Sequence, residues 1–169
     1  MKSKLVFICL TFFLVSCGNN TKKEEKVSEK KVQYKNYRNE RFGYSIAYPQ
    51  FLIPQGESGN QDGQKFISNE GTIQLWVYRS FKMNIETGDV PTLEEALQTD
   101  LQDKKVLGKS LKNNTYTVKS LEEEKIVLQH TLLIANEYYE ILFIYPKDKE
   151  KQLKSVMDYV VQSFEKSRG

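Results

Sequence analysis

Two cysteines and a single histidine are all that this 169-residue chain holds of the side chains that most readily ligate zinc or pair as nucleophile and base. A Ser-His-acid triad would have to use His130, yet no G-x-S-x-G elbow precedes a helical pattern. Phosphate-cradling loops of the Walker and dinucleotide types are missing as well. No apolar run is long enough to cross a bilayer: Leu5–Val15 would extend about 16 Å as a helix, against a hydrocarbon core of about 30 Å. Excess charge is also lacking. Residues 34–169 carry 18 Lys and Arg against 19 Asp and Glu, which leaves no electrostatic footprint for nucleic acid.

The N-terminus has three zones. Lys2 and Lys4 open it, Leu5–Val15 follows without a charge, and Leu14-Val15-Ser16-Cys17 closes it. The first two zones have the pattern of a secretory signal peptide. The third resembles the bacterial lipobox, in which a branched apolar residue, a tolerated residue and a small residue precede a cysteine. That resemblance implies cleavage before Cys17 by signal peptidase II and a diacylglycerol on its thiol, with residues 1–16 as leader. The alternative is an ordinary signal peptide that happens to carry a cysteine near its end. Because Cys9 would leave with the leader, the mature chain would hold no disulfide, no His/Cys zinc site and no Cys-His catalysis. Several acyl chains anchor a protein far better than one. Gly18, where enterobacterial lipoproteins retained in the inner membrane carry Asp, leans towards an outer-membrane destination in an organism that has one. Residues 17–33 then read as a lipidated cysteine and a solvated tether rich in Lys and Glu, with a reach of roughly 22 Å.

Residues 34–169 have the length of one domain and can bury a core without a metal or disulfide. Tyr34–Pro49 reads as two strands about a turn at Asn39-Glu40, with Phe42, Tyr44, Ile46 and Tyr48 on one face. Phe51–Gln64, punctuated by Pro54, Gly56, Gly59 and Gly63, reads as a loop. Two strands follow about Asn69-Glu70-Gly71, the second placing Ile73, Leu75 and Val77 opposite Trp76 and Tyr78, as suits a central strand. Thr92 and Glu95 form a capping-box pattern ahead of a helix whose Leu93, Ala96, Leu97 and Leu101 share one stripe. Strands are expected near Tyr116–Leu121, Ile126–Ala135 and Tyr138–Tyr145. Pairing the last two about Asn136-Glu137 sets Ile134 opposite Tyr139, Leu132 opposite Ile141, His130 opposite Phe143 and Leu128 opposite Tyr145. A closing helix over Asp148–Phe164 carries Leu153, Val156, Met157, Val160 and Phe164. The fold class is α+β, a central antiparallel sheet of five or more strands flanked by helices.

The order FGYSIAYP, FISNEGTIQLWVY, a capped helix, a hairpin ending YYEILFIYP and a helix ending QSF resembles the Mog1/PsbP-like superfamily, in particular its bacterial branch. The resemblance implies an α/β/α sandwich. It also implies a non-enzymatic role, since better-known members are photosystem assembly and stabilising subunits, some of them lipid-anchored, and a binder of a nuclear transport GTPase. No motif of that superfamily carries a functional residue onto a position here.

The residues that could carry chemistry are few. His130, between Leu128 and Leu132, reads as a general base or pH switch in one account and as a hydrogen-bonded structural histidine in the other. Ser58, Asn60, Asp62 and Gly63 match positions 1, 3, 5 and 6 of an EF-hand loop, but position 12 is Asn69 and no helices flank it. Glu122, Glu123 and Glu124 could supply acid–base carboxylates or simply form a hydrated turn. Tyr44, Tyr48, Trp76, Tyr78, Tyr116, Tyr138, Tyr139 and Tyr145 all fall in expected strands, and any left exposed would suit contact with a protein or glycan. The reading is a lipid-anchored, non-enzymatic binding or assembly module of the cell envelope, with Cys17 as lipidation site and no catalytic, cofactor or metal residue. Its partners would be the membrane, through the lipid, and an envelope protein or glycan, not nucleic acid. The alternatives are an envelope immunity or inhibitor lipoprotein and a hydrolase built on carboxylates such as Glu122–Glu124 or Asp62.

Overall fold

The computed structural model describes residues 31–166. The leader, Cys17 and the tether up to residue 30 lie outside the described residues. The chain enters the fold at Val32, which packs on the core, and the Gln33 carbonyl accepts the Gln50 N–H at 2.8 Å.

Ten strands and two helices follow: β1 (Tyr34–Asn39), β2 (Tyr44–Pro49), β3 (Leu52–Glu57), β4 (Gly63–Ser68), β5 (Gln74–Ser80), α1 (Leu93–Leu101), β6 (Lys105–Lys112), β7 (Thr115–Glu122), β8 (Lys125–Ile134), β9 (Glu137–Pro146), α2 (Glu150–Gln162) and β10 (Glu165–Lys166). Seven strands form an antiparallel sheet in the order β3-β4-β5-β9-β8-β7-β6, and β1, β2 and β10 form a small second sheet. The α+β expectation holds, with more strands than the sequence pattern showed. The main core lies on one face of the large sheet, where Tyr44, Phe66, Ile141, Phe143 and Val160 are buried between it, the small sheet and α2. On the opposite face α1 lays Leu93, Ala96 and Leu97 against Tyr116, Val118 and Tyr138. The capping box forms as expected: Thr92 Oγ1 accepts the Glu95 N–H and the Glu95 carboxylate accepts the Thr92 N–H.

Three strands escaped the sequence reading: the two-residue β10, which pairs with β2 just beyond α2, and β3 and β6, both edges of the large sheet. The segment read as a loop contains β3, in which only Leu52 is buried and which bulges between Pro54 and Glu57. Pro54 has no N–H to give a ladder and is tolerated because the outer side of β3 is unpaired. No strand was expected at β6, which buries no residue fully and carries Lys105, Lys109 and Lys112. An edge that buries so little has no apolar alternation to read, and its lysines discourage pairing with another chain.

The register of the β8–β9 hairpin also needs correction. Ile134 opposes Glu137, Leu132 opposes Tyr139, His130 opposes Ile141 and Leu128 opposes Phe143, two residues from the expected pairing. The turn is the two-residue Ala135-Asn136, both with positive φ (50° and 63°), the conformation whose twist suits a tight hairpin. A shift of two leaves every side chain on its expected face, so hydrophobic alternation could not detect it.

The tyrosines make the fold sensitive to alkali. Burial is the largest influence on each of Tyr44, Tyr78 and Tyr116, pushing their hydroxyls well above the usual range, and it raises Tyr138 and Tyr145 to about 12. An unfolded tyrosine ionises near pH 10. Below that pH both states keep their protons and stability is complete. Above it the unfolded chain sheds protons that the folded chain retains, so stability falls as pH rises towards the folded values. The urea midpoint should therefore drop steeply from about pH 10 upward, with the tyrosinate absorbance of these five rings appearing only as the chain unfolds. Early ionisation of these tyrosines in an intact fold would contradict their burial.

Candidate binding surface

The stretch FKMNI, Phe81–Ile85, leaves the end of β5 in irregular backbone and inverts the usual burial. Phe81, Met83 and Ile85 are 59, 61 and 98% exposed, whereas Lys82 turns inward. The cause is a polar network on the α1 face of the sheet. Lys82 Nζ lies 2.9 Å from Asp100 Oδ1 of α1 and 3.0 Å from Glu140 Oε1 of β9. Tyr116 and Gln129 donate to Asp100 Oδ2, both at 2.5 Å, and Tyr78 donates to Glu140 Oε2 at 2.7 Å. Lys104 donates to Gln129 Oε1 at 3.2 Å. Burial opposes the charge on Lys82, but Glu140 and Asp100 outweigh it and hold the ammonium above its ordinary value.

Pinning Lys82 inward forces its neighbours out, because successive residues of an extended chain point to opposite sides. The next turn fixes the loop. Asn84 accepts the Gly88 N–H through its carbonyl and those of Glu86 and Thr87 through its side chain, and its own N–H bonds to Asp89. Gly88 has φ +75°, which an L side chain would strain. At the base, the Arg79 guanidinium sits 4.1 Å from the Phe81 ring centroid, and Phe42 meets Phe81 edge-on at 6.2 Å. Between this loop and α1 lies a groove of about 610 Å³ whose walls include Met83, Ile85, Pro91 and Ala96.

Both oxygens of each buried carboxylate are already occupied by donors, so the network's evident work is mechanical. It clamps the loop and α1 to the sheet and presents a pre-formed row of apolar side chains. Displaying such residues costs solvation, and a patch of them rimmed by polar groups marks a contact surface.

Of the residues singled out from the sequence, Tyr78 and Tyr116 belong to this network, whereas His130, Asp62 and Glu122–Glu124 lie elsewhere and apart from one another. His130 is half-buried on the main-core face, its Nδ1 2.8 Å from Thr117 Oγ1, and burial lowers its pKa. Glu122 ends β7, and Glu123 and Glu124 form the exposed turn before β8, with Glu123 at φ 54°. Asp62 is engaged by Ser58 Oγ at 2.5 Å and Asn60 Nδ2 at 2.6 Å, so the loop folds on its own side chains. Of the eight strand aromatics, Tyr44, Tyr48, Tyr116, Tyr138, Tyr139 and Tyr145 are buried, and Trp76 and Tyr78 are half-buried. None belongs to the exposed Phe81–Ile85 row. Phe81–Ile85 was not singled out, although apolar residues alternating with Lys82 and Asn84 ahead of Thr87-Gly88-Asp89 carried a signal.

No protein-family model and no curated protein sequence matches the chain. Its structure is similar to the solution structure of cyanobacterial PsbP (CyanoP) from Synechocystis sp. PCC 6803, with a TM-score of 0.57 and 16% identity over 80% of this chain and 94% of that one. The domain therefore has a PsbP-like fold, in agreement with the resemblance seen in its strand order.

Proposed function

We propose that this chain is a lipid-anchored, non-enzymatic binding module of the bacterial cell envelope that grips a partner protein through Phe81, Met83 and Ile85. The observation that carries the reading is the inverted burial of that segment, with the lysine inside and the apolar residues outside. A protein folding for its own stability gains nothing by exposing Ile85 almost completely, whereas a rigid apolar row lowers the entropy cost of docking.

The placement of the row fits an anchored protein. Gln33 joins the fold beside Gln50, after the Pro49 end of β2, whereas Phe81 lies against Phe42, before its Tyr44 end. Six strand residues separate the two ends, about 20 Å. The row thus stands at the far end of the β1–β2 hairpin from the point where the tether joins.

The test places a photo-crosslinking residue at Met83 in the full-length protein and irradiates intact envelopes, with Cys17→Ser and Ile85→Asp run alongside. Cys17→Ser should leave unprocessed protein that is lost from the membrane. Normal maturation and membrane retention in that variant would overturn the lipid anchor. Ile85→Asp should abolish the dominant crosslink while stability stays within about 0.5 kcal/mol, as expected for a fully exposed side chain. An undiminished crosslink would overturn the contact surface, and a one-to-one complex with a secreted hydrolase would redirect the function to inhibition.

A further inference from the structure

The exposed row of Phe81, Met83 and Ile85 is set in a stretch of one-sided charge. From residue 83 to residue 103 the chain has no Lys or Arg, against Glu86, Asp89, Glu94, Glu95, Asp100 and Asp103. Asp100 is spent on Lys82 inside the polar network. The other five acids are exposed and make no ion pair among the described residues.

Two of them stand on the groove itself. Glu86 lies on its loop lip and Glu95 on its helix lip, and the accessible Met83, Ile85, Pro91 and Thr99 line it with them. The Thr92 N–H and hydroxyl both donate to the Glu95 carboxylate and hold it below the usual carboxylate range, so it keeps its charge at neutral pH. The cations beside the row are committed: Lys82 to the network, and Arg79 to Glu137 at 3.0 Å.

Resting on the contact surface described above, we propose that the partner segment seated in this groove is a basic amphipathic helix. Its apolar face lies on Met83 and Ile85, and its Lys or Arg side chains reach Glu86 and Glu95. The charge follows from complementarity, since unpaired acids on both lips of an apolar groove repel an acidic partner and draw a basic one. The same acids repel an anionic bilayer surface. The helical form follows from the backbone. An extended segment on an apolar floor needs a ladder for its N–H and C=O groups. The loop has none to give, because Asn84 is tied to Gly88 and Asp89, and the opposite wall is a helix whose bonds are internal. A helix arrives with its backbone satisfied and an apolar stripe at three- and four-residue spacing.

The test is a nitrogen-15 amide NMR titration of the mature full-length chain carrying Cys17→Ser. The probes are three capped peptides of about 14 residues, roughly four helical turns. The first is Leu and Lys with the leucines on one helical face, and the second has Glu in place of Lys. The third has the composition of the first, with Leu and Lys alternating as in a strand. Saturable shifts confined to residues 81–99 are expected with the first, and at least about tenfold weaker binding with the others. Raising the salt from about 0.1 to 1 M, which shortens the Debye length from about 10 to 3 Å, should weaken the first several-fold. Glu86→Gln with Glu95→Gln removes both charges while the Gln amide oxygen keeps the capping box. That variant should bind the Leu/Lys helix about three- to tenfold more weakly, with its melting temperature little changed. Ile85→Ser should abolish saturable binding. Equal binding of the Leu/Lys and Leu/Glu helices, both lost in Ile85→Ser, would overturn the partner's charge and leave the contact surface standing. Stronger binding by the alternating peptide, or none by the Leu/Lys helix, would overturn the basic helix. Binding that survives Ile85→Ser would overturn the surface itself, and Ile85-dependent binding to phosphatidylglycerol vesicles would put a membrane in the partner's place.

Discussion

Lys82→Met is expected to destabilise the domain by about 3–5 kcal/mol, the cost of breaking a buried ion pair from one side. Asp100 and Glu140, with side-chain exposures of only 14 and 6%, would lose their shared cation, and Tyr78, Tyr116 and Gln129 cannot replace it. The same variant should free Phe81 and Met83 and so weaken partner capture beyond what unfolding explains. Replacing Lys82, Asp100 and Glu140 together by apolar residues of similar volume should recover most of the stability, since a well-packed apolar cluster is often as stable as the ion pair it replaces. Urea unfolding of the single and triple variants separates the two effects. A loss below about 1 kcal/mol in Lys82→Met would mean the network is a surface feature that contributes little.

Tyr44→Ala should be comparably severe, about 3–5 kcal/mol, in the range for emptying a buried aromatic site. Tyr44 stands in β2 but reaches the large sheet. Its ring is stacked on Phe164 and meets Tyr139 edge-on, both with centroids 5.5 Å apart, and its hydroxyl shares its one proton between the carbonyls of Asp62 at 2.9 Å and Val77 at 3.2 Å. It therefore joins the small sheet, the large sheet and the chain beyond α2. Tyr44→Phe keeps the ring and removes only the hydroxyl, so its loss should be nearer 1 kcal/mol. Chemical denaturation of the pair would show whether ring or hydroxyl dominates. Equal losses would place the energy in the hydrogen bonds, against this expectation.

The two variants also show what could be read in advance. Tyr44 was legible, because Tyr44, Ile46 and Tyr48 alternate in an extended segment and alternation is the signature of a buried face. Lys82 was not legible. Its partners Asp100 and Glu140 lie 18 and 58 positions away and only the crossing of β5, β9 and α1 brings them together. Without that crossing, FKMNI is a short mixed stretch between a strand and a helix.

The sequence by itself determined the local elements wherever burial is one-sided and periodic. The capping box at Thr92 and Glu95, the apolar stripe of α2 and the strands of the sheet's interior all follow from the spacing of neighbours along the chain. The tertiary structure alone decided the edge strands β3 and β6, the hairpin register about Ala135-Asn136, and which polar and apolar side chains were turned inside out at Phe81–Ile85. The edges carry no strong period because they bury little. The register escaped because a shift of two preserves every face. The inverted loop escaped because the energy that holds Lys82 inward comes from residues far away in sequence, and no local pattern encodes a distant charge.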